Sequence, residues 1–405
     1  MAGPDGRVRN HGLQGWGLTR RFEGVRAAAP SAARTPFGFL GEIDVESGST
    51  STSWKMVHCE PHIAWDETQL IDAASGDAGS QGSPRILLVG LSHDLELANL
   101  ARRLSHTPAT VRVLLLDRLS ALPTWRSSSA PLDEFDVGYC RAYRSDRPVH
   151  YHFDQTLRQS ESWGQVDNDV RRYAAEQVDT LFWALMARYR VAHWVNSPWN
   201  VRLAENKLTQ LDVAESLGFV VPRTLVSSQR DEVRSFMSGL PNGVVSKSLD
   251  SPITNPGSEV TPFQYTSPVG PATVQDMGFP QLYQERVAHQ EEFRVTVVGH
   301  QIFAAKVEAN GTDGSADWRI ATGNHAAFEA TLLPDDVRAR VSDMMTRLDL
   351  QVGGIDLLRT GDGIYFLEVN PSCAFLWLER SLEIEISNAV MRLLLSHSGN
   401  PVTRM

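Results

Sequence analysis

Three side chains towards the C-terminal end of the sequence could hold one cation between them. In "GGIDLLRTGDGIYFLEVNPS", residues 353–372, Asp356 lies in one strand-like run, and Glu368 and Asn370 lie in the next. Alternate residues of a strand share a face, so Glu368 and Asn370 project together. "TGDG" reads as the turn of a hairpin. Cross-strand neighbours sit about 5 Å apart, which brings Asp356 to the same place. Carboxylates in apolar strands need a positive partner. Two carboxylates and an amide oxygen are hard donors suited to Mg²⁺, which also keeps waters and phosphate oxygens in its shell. The alternative is a set of hydrated turn and edge residues. The flanking "GGI" and "LL" around Asp356, and Leu367 and Val369 around Glu368, argue against it. A magnesium ion here would bring a nucleotide with it.

Phosphates need cations. Lys207 in "AENKLTQ", Lys247 in "VVSKSL", Lys306 in "FAAKVE" and Arg319 in "ADWRIA" are the candidates. Singly, each reads as a surface charge. On separate elements of one unit they form a cradle, with Arg319 able to reach a γ-phosphate or an acyl phosphate.

The elements that must position these groups fall into two ordered regions. The first begins at "RILLVGLSHDLELANLARRL": Ile86–Val89 reads as a buried strand, and Leu95, Leu97, Leu100 and Leu104 follow at near-helical spacing. A second strand, Val111–Asp117, completes a strand–helix–strand unit with parallel strands. No G-x-G-x-x-G follows the first strand, so a dinucleotide site is not supported. Residues 167–189 read as a long helix, and Pro198 as the stop after "AHWVNSP".

The second region starts near Asn200. "NVRLAENKLTQLDVAESLGF" is predicted as one amphipathic helix, with Gly218 as its C-cap. Strands follow at "VVPRTLVSS", "NGVVSKSL", "PQLYQERV", "EEFRVTVVG" and "HQIFAAKVEA", the last two as a hairpin around "GHQ". Helices are predicted at "DEVRSFMSGL", "PDDVRARVSDMMTRLDL" and "ERSLEIEISNAVMRLLLSH", and a mobile loop at residues 251–268.

In this order, "ENK", "VVSK", "YQERV", "EEFRVTVVG", "FAAK", "DWR", "GGIDLL" and "FLEVNPS" resemble the ATP-grasp superfamily of carboxylate–amine ligases across roughly residues 200–400. "RLAENKLTQLDVAESLGFVVPRTLVS", "DWR" and "FLWLERSLEIEIS" are similar to the graspetide maturases, the microviridin-type ribosomal peptide macrocyclases. The ribosomal-protein glutamate ligases resemble it more distantly. The resemblance implies an α/β (α+β) chain: an ATP-grasp domain over 200–400, with a small lobe to about 284 and a large lobe from about 285, and a pre-ATP-grasp α/β domain over 84–199.

The resemblance also implies roles. Lys207 and Lys247 would contact nucleotide phosphates, with Lys247 near the adenine as well. Glu285 and Val287 would border the adenine at the hinge, and Glu292 would bind the ribose. Lys306 and Arg319 would hold the γ-phosphate and the acyl phosphate, and Asp356, Glu368 and Asn370 would carry Mg²⁺, as two ions. A peptide side-chain carboxylate would attack the γ-phosphate of ATP, giving an acyl phosphate and ADP. A Ser/Thr hydroxyl or Lys amine of the same peptide would then displace phosphate. One alternative is an intermolecular ligase that adds amino acids to a protein or a small acid. Another is a nucleotide-binding protein without ligase chemistry. One departure stands out: after "EVNP" the maturases usually show Asn or Ser, then Gly-Gln, before the Trp, whereas this chain reads "SCAFLW".

Residues 1–83 read as a mostly disordered extension rich in Gly, Ser, Ala and Pro. "GWGLTRRFE" and "WDETQLID" are similar to graspetide leader segments, so a fused leader is the alternative to a plain extension. A net charge of -10 gives no global basic field, so no nucleic-acid partner is expected. No apolar run reaches membrane-span length, and the three cysteines form no C-x-x-C pair. The expected setting is the cytoplasm, and the expected partners are a precursor peptide with a leader and, by the resemblance, a second copy in a homodimer.

Overall fold

The run "RILLVG" forms β1 (Arg85–Gly90), buried at every position after Arg85. The computed structural model describes residues 83–91, 94–116, 123, 132–141, 168–249, 267–276, 278–308 and 328–397. The expectations for residues 1–82, for most of the 251–268 loop and for Arg319 lie outside them. The described residues all belong to one of the chain's two compact units, residues 57–405.

After β1 comes α1 (Leu95–Leu104), capped by Asp94, whose carboxylate accepts from the Leu97 amide. Next is β2 (Thr110–Leu115), paired in parallel with β1 as the sequence predicts, although it ends two residues early. Two further parallel strands were not legible, β3 (Glu134–Cys140) and β4 (Arg190–Trp194), the latter preceded by α2 (Asn168–Arg188). The sheet order is β2-β1-β3-β4. Gly138 in β3 is needed for close packing, because a Cβ there would lie 2.7 Å from the Trp194 ring.

The single helix expected from Asn200 is two helices, α3 (Pro198–Ala204) and α4 (Lys207–Ser216). Asn206 breaks them by capping α4, its side chain accepting from the Leu208 and Thr209 amides. Pro198, expected as a stop, instead opens α3, where a missing N–H costs nothing. Gly218 does take the left-handed conformation (φ +80°) after α4.

A second, antiparallel sheet combines β5 (Thr224–Ser227), β6 (Val244–Lys247), β7 (Ser267–Val269) and β8 (Gln281–Glu285) in the order β5-β8-β6-β7. Helix α5 (Arg230–Ser238) covers one face with Val233 and Met237, packed on Val244 and Tyr283. Strand β7 begins inside the stretch expected to be loop.

The third sheet carries the candidate site. It joins β9 (Glu291–Val298), β10 (Gln301–Glu308), β11 (Glu329–Thr331), β12 (Val352–Thr360) and β13 (Gly363–Asn370) in the order β11-β10-β9-β12-β13. Helix α6 (Asp335–Arg347) shares a core with Phe293, Val295 and Ile355 through Val337, Val341 and Met344. The last predicted helix is also split, into α7 (Leu376–Leu382) and α8 (Ile386–His397). The split falls at Glu383, which takes the left-handed conformation (φ 54°) and ends α7, while the Glu379 carboxylate accepts from the Ser387 amide and hydroxyl, both at 2.6 Å, at the start of α8. No helix among the described residues is long and apolar enough to cross a membrane.

Candidate active site

Strands β12 and β13 form the hairpin that the sequence predicts, with Asp356 directly opposite Glu368 and Gly354 opposite Asn370. Asn370 donates from Nδ2 to Glu368 Oε1 at 3.3 Å. On the other side of Asp356 the register places Arg294 of β9, so Arg294, Asp356 and Glu368 form one row across three strands. Directly paired residues of a sheet share a face. The Arg294 guanidinium pairs with Asp356 and also with Glu292 Oε1 at 2.6 Å. Asp356 and Glu292 are only 9% and 8% exposed, so the guanidinium is the charge that lets both carboxylates stay buried.

Two buried amides hold this hairpin from outside the sheet. Gln210 of α4 accepts from the Val369 amide at 2.8 Å and donates to the Val369 carbonyl at 2.8 Å. Asn196, after β4, accepts from the Gln351 and Val352 amides and donates to the Val352 and Pro371 carbonyls. The departing "SCAFLW" loop is held by α1 and by the residue that follows β3. Arg141 donates to the Cys373 carbonyl at 3.1 Å, and Glu96 accepts from the Phe375 amide at 3.1 Å. Arg141 is in turn paired with Asp94 at 2.9 Å. Cys373 packs over Gly354, where an added Cβ would meet the Cys373 Cβ at 2.8 Å. Burial pushes its thiol up to about 12, with Arg141 pulling the other way and Glu96 and Asp356 adding to the rise. A thiol held protonated in this way is packing, not a nucleophile.

The lysines occupy different places. Lys247 ends β6 and donates to Gln284 Oε1 at 2.7 Å, and Gln284 in turn donates to Thr224 Oγ1 at 3.1 Å, on the sheet face away from α5. Lys207 is the first residue of α4 and donates to the Ser248 carbonyl at 2.9 Å, one residue beyond Lys247. Their shared attachment near residue 248 brings these two predicted phosphate ligands together. Helix α4 also ties Lys207 to the Glu368–Asn370 strand through Gln210.

Lys306 is not gathered with them. It is in register with Phe293, on the opposite face of the sheet from the Arg294 row, and it lies 3.6 Å from Glu291 and 3.3 Å from Glu329. The Glu285 carboxylate sits on the α5 side of its sheet, 3.1 Å from Arg223 Nε, so its side chain points away from the Lys247 face. The Val287 carbonyl accepts from His289 Nδ1 at 3.1 Å. Glu292 is on the Asp356 face, held by Arg294.

Asp356, Glu368 and Asn370 suit Mg²⁺ by the chemistry of their oxygens, and Asp356 already accepts a cationic group in Arg294. No group of three or more His, Cys, Asp or Glu side chains is arranged for a metal among the described residues, so an ion here would rely on the Asn370 amide and on ligand oxygens. Arg294, Gln210 and Asn196 were missed from sequence. Only Arg294 left a signal: an arginine two residues from a glutamate, on one face of a strand whose remaining residues after Glu292 are apolar except Thr296.

Residues 204–394 match the model of the RimK-like ATP-grasp domain. The chain carries a RimK-like ATP-grasp domain. ATP-grasp enzymes are ATP-dependent ligases that use ATP and Mg²⁺. No curated protein matches the sequence. The macrocyclase MdnC from Microcystis aeruginosa MRC, solved bound with precursor peptide MdnA, is 24% identical with a TM-score of 0.64, covering 77% of this chain and 99% of that one. A RiPP-associated ATP-grasp ligase from Chryseobacterium gregarium, solved with ADP and a leader and core peptide, is 19% identical with a TM-score of 0.61, covering 77% and 97%. The ATP-grasp ligase PsnB, complexed with a minimal precursor, is 18% identical with a TM-score of 0.59, covering 78% and 99%. At these identities the likeness speaks for the fold of the ATP-grasp chain and of the segment before it.

Proposed function

We infer that the protein is a peptide macrocyclase. In this reading it activates Asp or Glu side chains of a ribosomal peptide as acyl phosphates and joins them to Ser/Thr hydroxyls or Lys amines. The observation that carries this reading is the row of Asp356 opposite Glu368, with Asn370 beside it, in an ATP-grasp domain whose α4 brings Lys207 next to the Lys247 strand. The solved macrocyclases with peptides bound support the choice of a peptide as the carboxylate substrate.

Bound Mg-ATP would supply the phosphoryl group, and the metal would neutralise negative charge on the phosphate. The chain's own groups do the positioning. Asp356, Glu368 and Asn370 would hold the metal, as two ions, while Lys207 and Lys247 would exchange their present partners, the Ser248 carbonyl and Gln284, for phosphate oxygens. Arg294 would yield part of its hold on Asp356 to the metal and keep Glu292, which would face the ribose. Arg319 remains in the proposal as the group on the acyl phosphate. A pre-ATP-grasp domain over 84–199, a leader-bearing precursor, a homodimer and a cytoplasmic setting would accompany this activity.

The purified chain should be incubated with Mg-ATP and the precursor peptide encoded beside its gene, and the intact peptide mass recorded. Loss of one water per ring with ADP formed is expected. Gain of an amino-acid residue would move the assignment to an intermolecular ligase. Nucleotide binding with no ADP formed in the presence of peptide would leave a nucleotide-binding protein.

A further inference from the structure

Strand β13 is the last strand of its sheet, beside β12, and its outer side is met near its middle by a single parallel bridge from Val220 to Tyr365, with the Phe366 amide donating to the Val220 carbonyl at 2.9 Å. At an edge the outward N–H and C=O groups need partners or water. At Val369, the residue between Glu368 and Asn370, both outward groups go to one side chain. Gln210 accepts from the amide and donates to the carbonyl, each at 2.8 Å, as the peptide group of a neighbouring strand would. Gln210 is 1% exposed, and its Nε2 also donates to the Ala204 carbonyl at 2.6 Å, across the break between α3 and α4. All its amide hydrogen-bonding directions but one are therefore committed. A leucine or methionine would fill the same volume but would leave the Val369 amide and carbonyl without this partner. The amide satisfies these groups and, by holding both at once, also fixes the orientation of the backbone it grips.

We propose that Gln210 is a positioning residue for the metal. It fixes the Val369 peptide, so that Glu368 and Asn370 present their oxygens at one place, and it sets that place relative to Lys207, three residues earlier on the same helix. Glu368 and Asn370 lie on the sheet face opposite Val369, so a twist of the Val369 peptide would swing both donors in concert. The inference rests on the nucleotide reading of this site, and it concerns the metal, not the nucleotide base or ribose.

The test is calorimetric titration of ADP into wild-type protein and into Gln210→Met, once in EDTA and once across a series of Mg²⁺ concentrations. Hydrogen exchange of the Val369 amide is followed in parallel. In Gln210→Met, the Mg²⁺ concentration giving half of the Mg-dependent gain in ADP affinity should rise about tenfold. Affinity in EDTA should stay within twofold of wild type, and the Val369 amide should exchange faster. Gln210→Glu keeps the acceptor for the Val369 amide but loses the donor to its carbonyl. It should fall between the two and serves if the methionine variant does not fold. Equal losses of ADP affinity with and without Mg²⁺, or an unchanged Mg²⁺ requirement, would overturn the inference and leave the nucleotide reading standing. A wild-type protein that binds ADP under neither condition would overturn both.

Discussion

Arg294 carries the electrostatics of the site in the absence of metal. It pairs with two carboxylates, on Asp356 and Glu292, that are almost wholly removed from water. Removing one partner of a buried ion pair costs about 3–5 kcal/mol, because the remaining charge has no solvent to compensate it. Arg294→Met should therefore destabilise the metal-free protein by about 3 kcal/mol. Saturating Mg²⁺ would put positive charge beside Asp356 and should restore part of that loss. Urea unfolding of wild type and variant, in EDTA and in Mg²⁺, measures both. A gap between the two proteins that is equally wide with and without Mg²⁺ would mean that the cation does not sit by Asp356. The convergence of Asp356, Glu368 and Asn370 was legible in the sequence because a two-residue period and a Gly-rich turn are enough to bring side chains onto one face of a hairpin. Their fixers were not. Arg294, Gln210 and Asn196 act across separations of tens to well over a hundred residues, and a buried glutamine in an amphipathic helix looks like any polar helix position.

At the scale of elements, the joint between the parallel sheet and the loop after β13 should be sensitive to alkali. Tyr139 near the end of β3 is pushed from 10 to about 12, chiefly by burial, against the pull of Arg141. Cys373 in the loop is pushed from 9 to about 12, also chiefly by burial. In the unfolded chain both groups ionise near their ordinary values, so above about pH 9 the unfolded state releases protons that the folded state retains. Their contribution to stability is complete below that pH and is lost as pH climbs towards 12. The urea midpoint of Tyr139→Phe combined with Cys373→Ser should fall less steeply above pH 9 than that of wild type. Parallel declines would show that other groups govern the alkaline limit. The elements whose pattern is local were legible: β1, α1, β2 and the hairpins carry their periodicity and turns within a few residues. The breaks at Asn206 and Glu383 were not, because the first depends on a side chain capping the next helix and the second on a non-glycine residue taking the left-handed conformation, neither of which interrupts the apolar period. Strand β3 was hidden by Asp136 and Gly138, residues chosen for what crosses the strand: Asp136 Oδ2 accepts from the Arg85 amide at 2.8 Å, and Gly138 makes room for Trp194.

At the scale of the molecule, the parallel sheet and the third sheet are built on common cores. Ile86, Leu88 and Leu104 from the first region belong to one buried cluster with Val298, Leu378 and Ile386 from the second. Leu87, Val89 and Leu185 likewise belong to another with Phe293, Ile355 and Phe366. Fully burying one such side chain contributes about 1.5–3 kcal/mol. Exposing a handful would therefore exceed the typical net stability of about 5–15 kcal/mol. The polar contacts run the same way: cutting the chain at residue 200 would strip the Gln351, Val352, Pro371 and Cys373 backbone groups of Asn196 and Arg141. A fragment of residues 200–405, although it contains the whole span matched to the ATP-grasp domain, should fail to fold alone and should accumulate as insoluble protein. Co-expression with residues 84–199 should return it to a soluble complex that binds Mg-ADP. A 200–405 fragment that is soluble, unfolds cooperatively and binds Mg-ADP unaided would show that the parallel sheet is an appendage. In that case the grip of Asn196 and Arg141 on the strand ends would be dispensable for the proposed metal site.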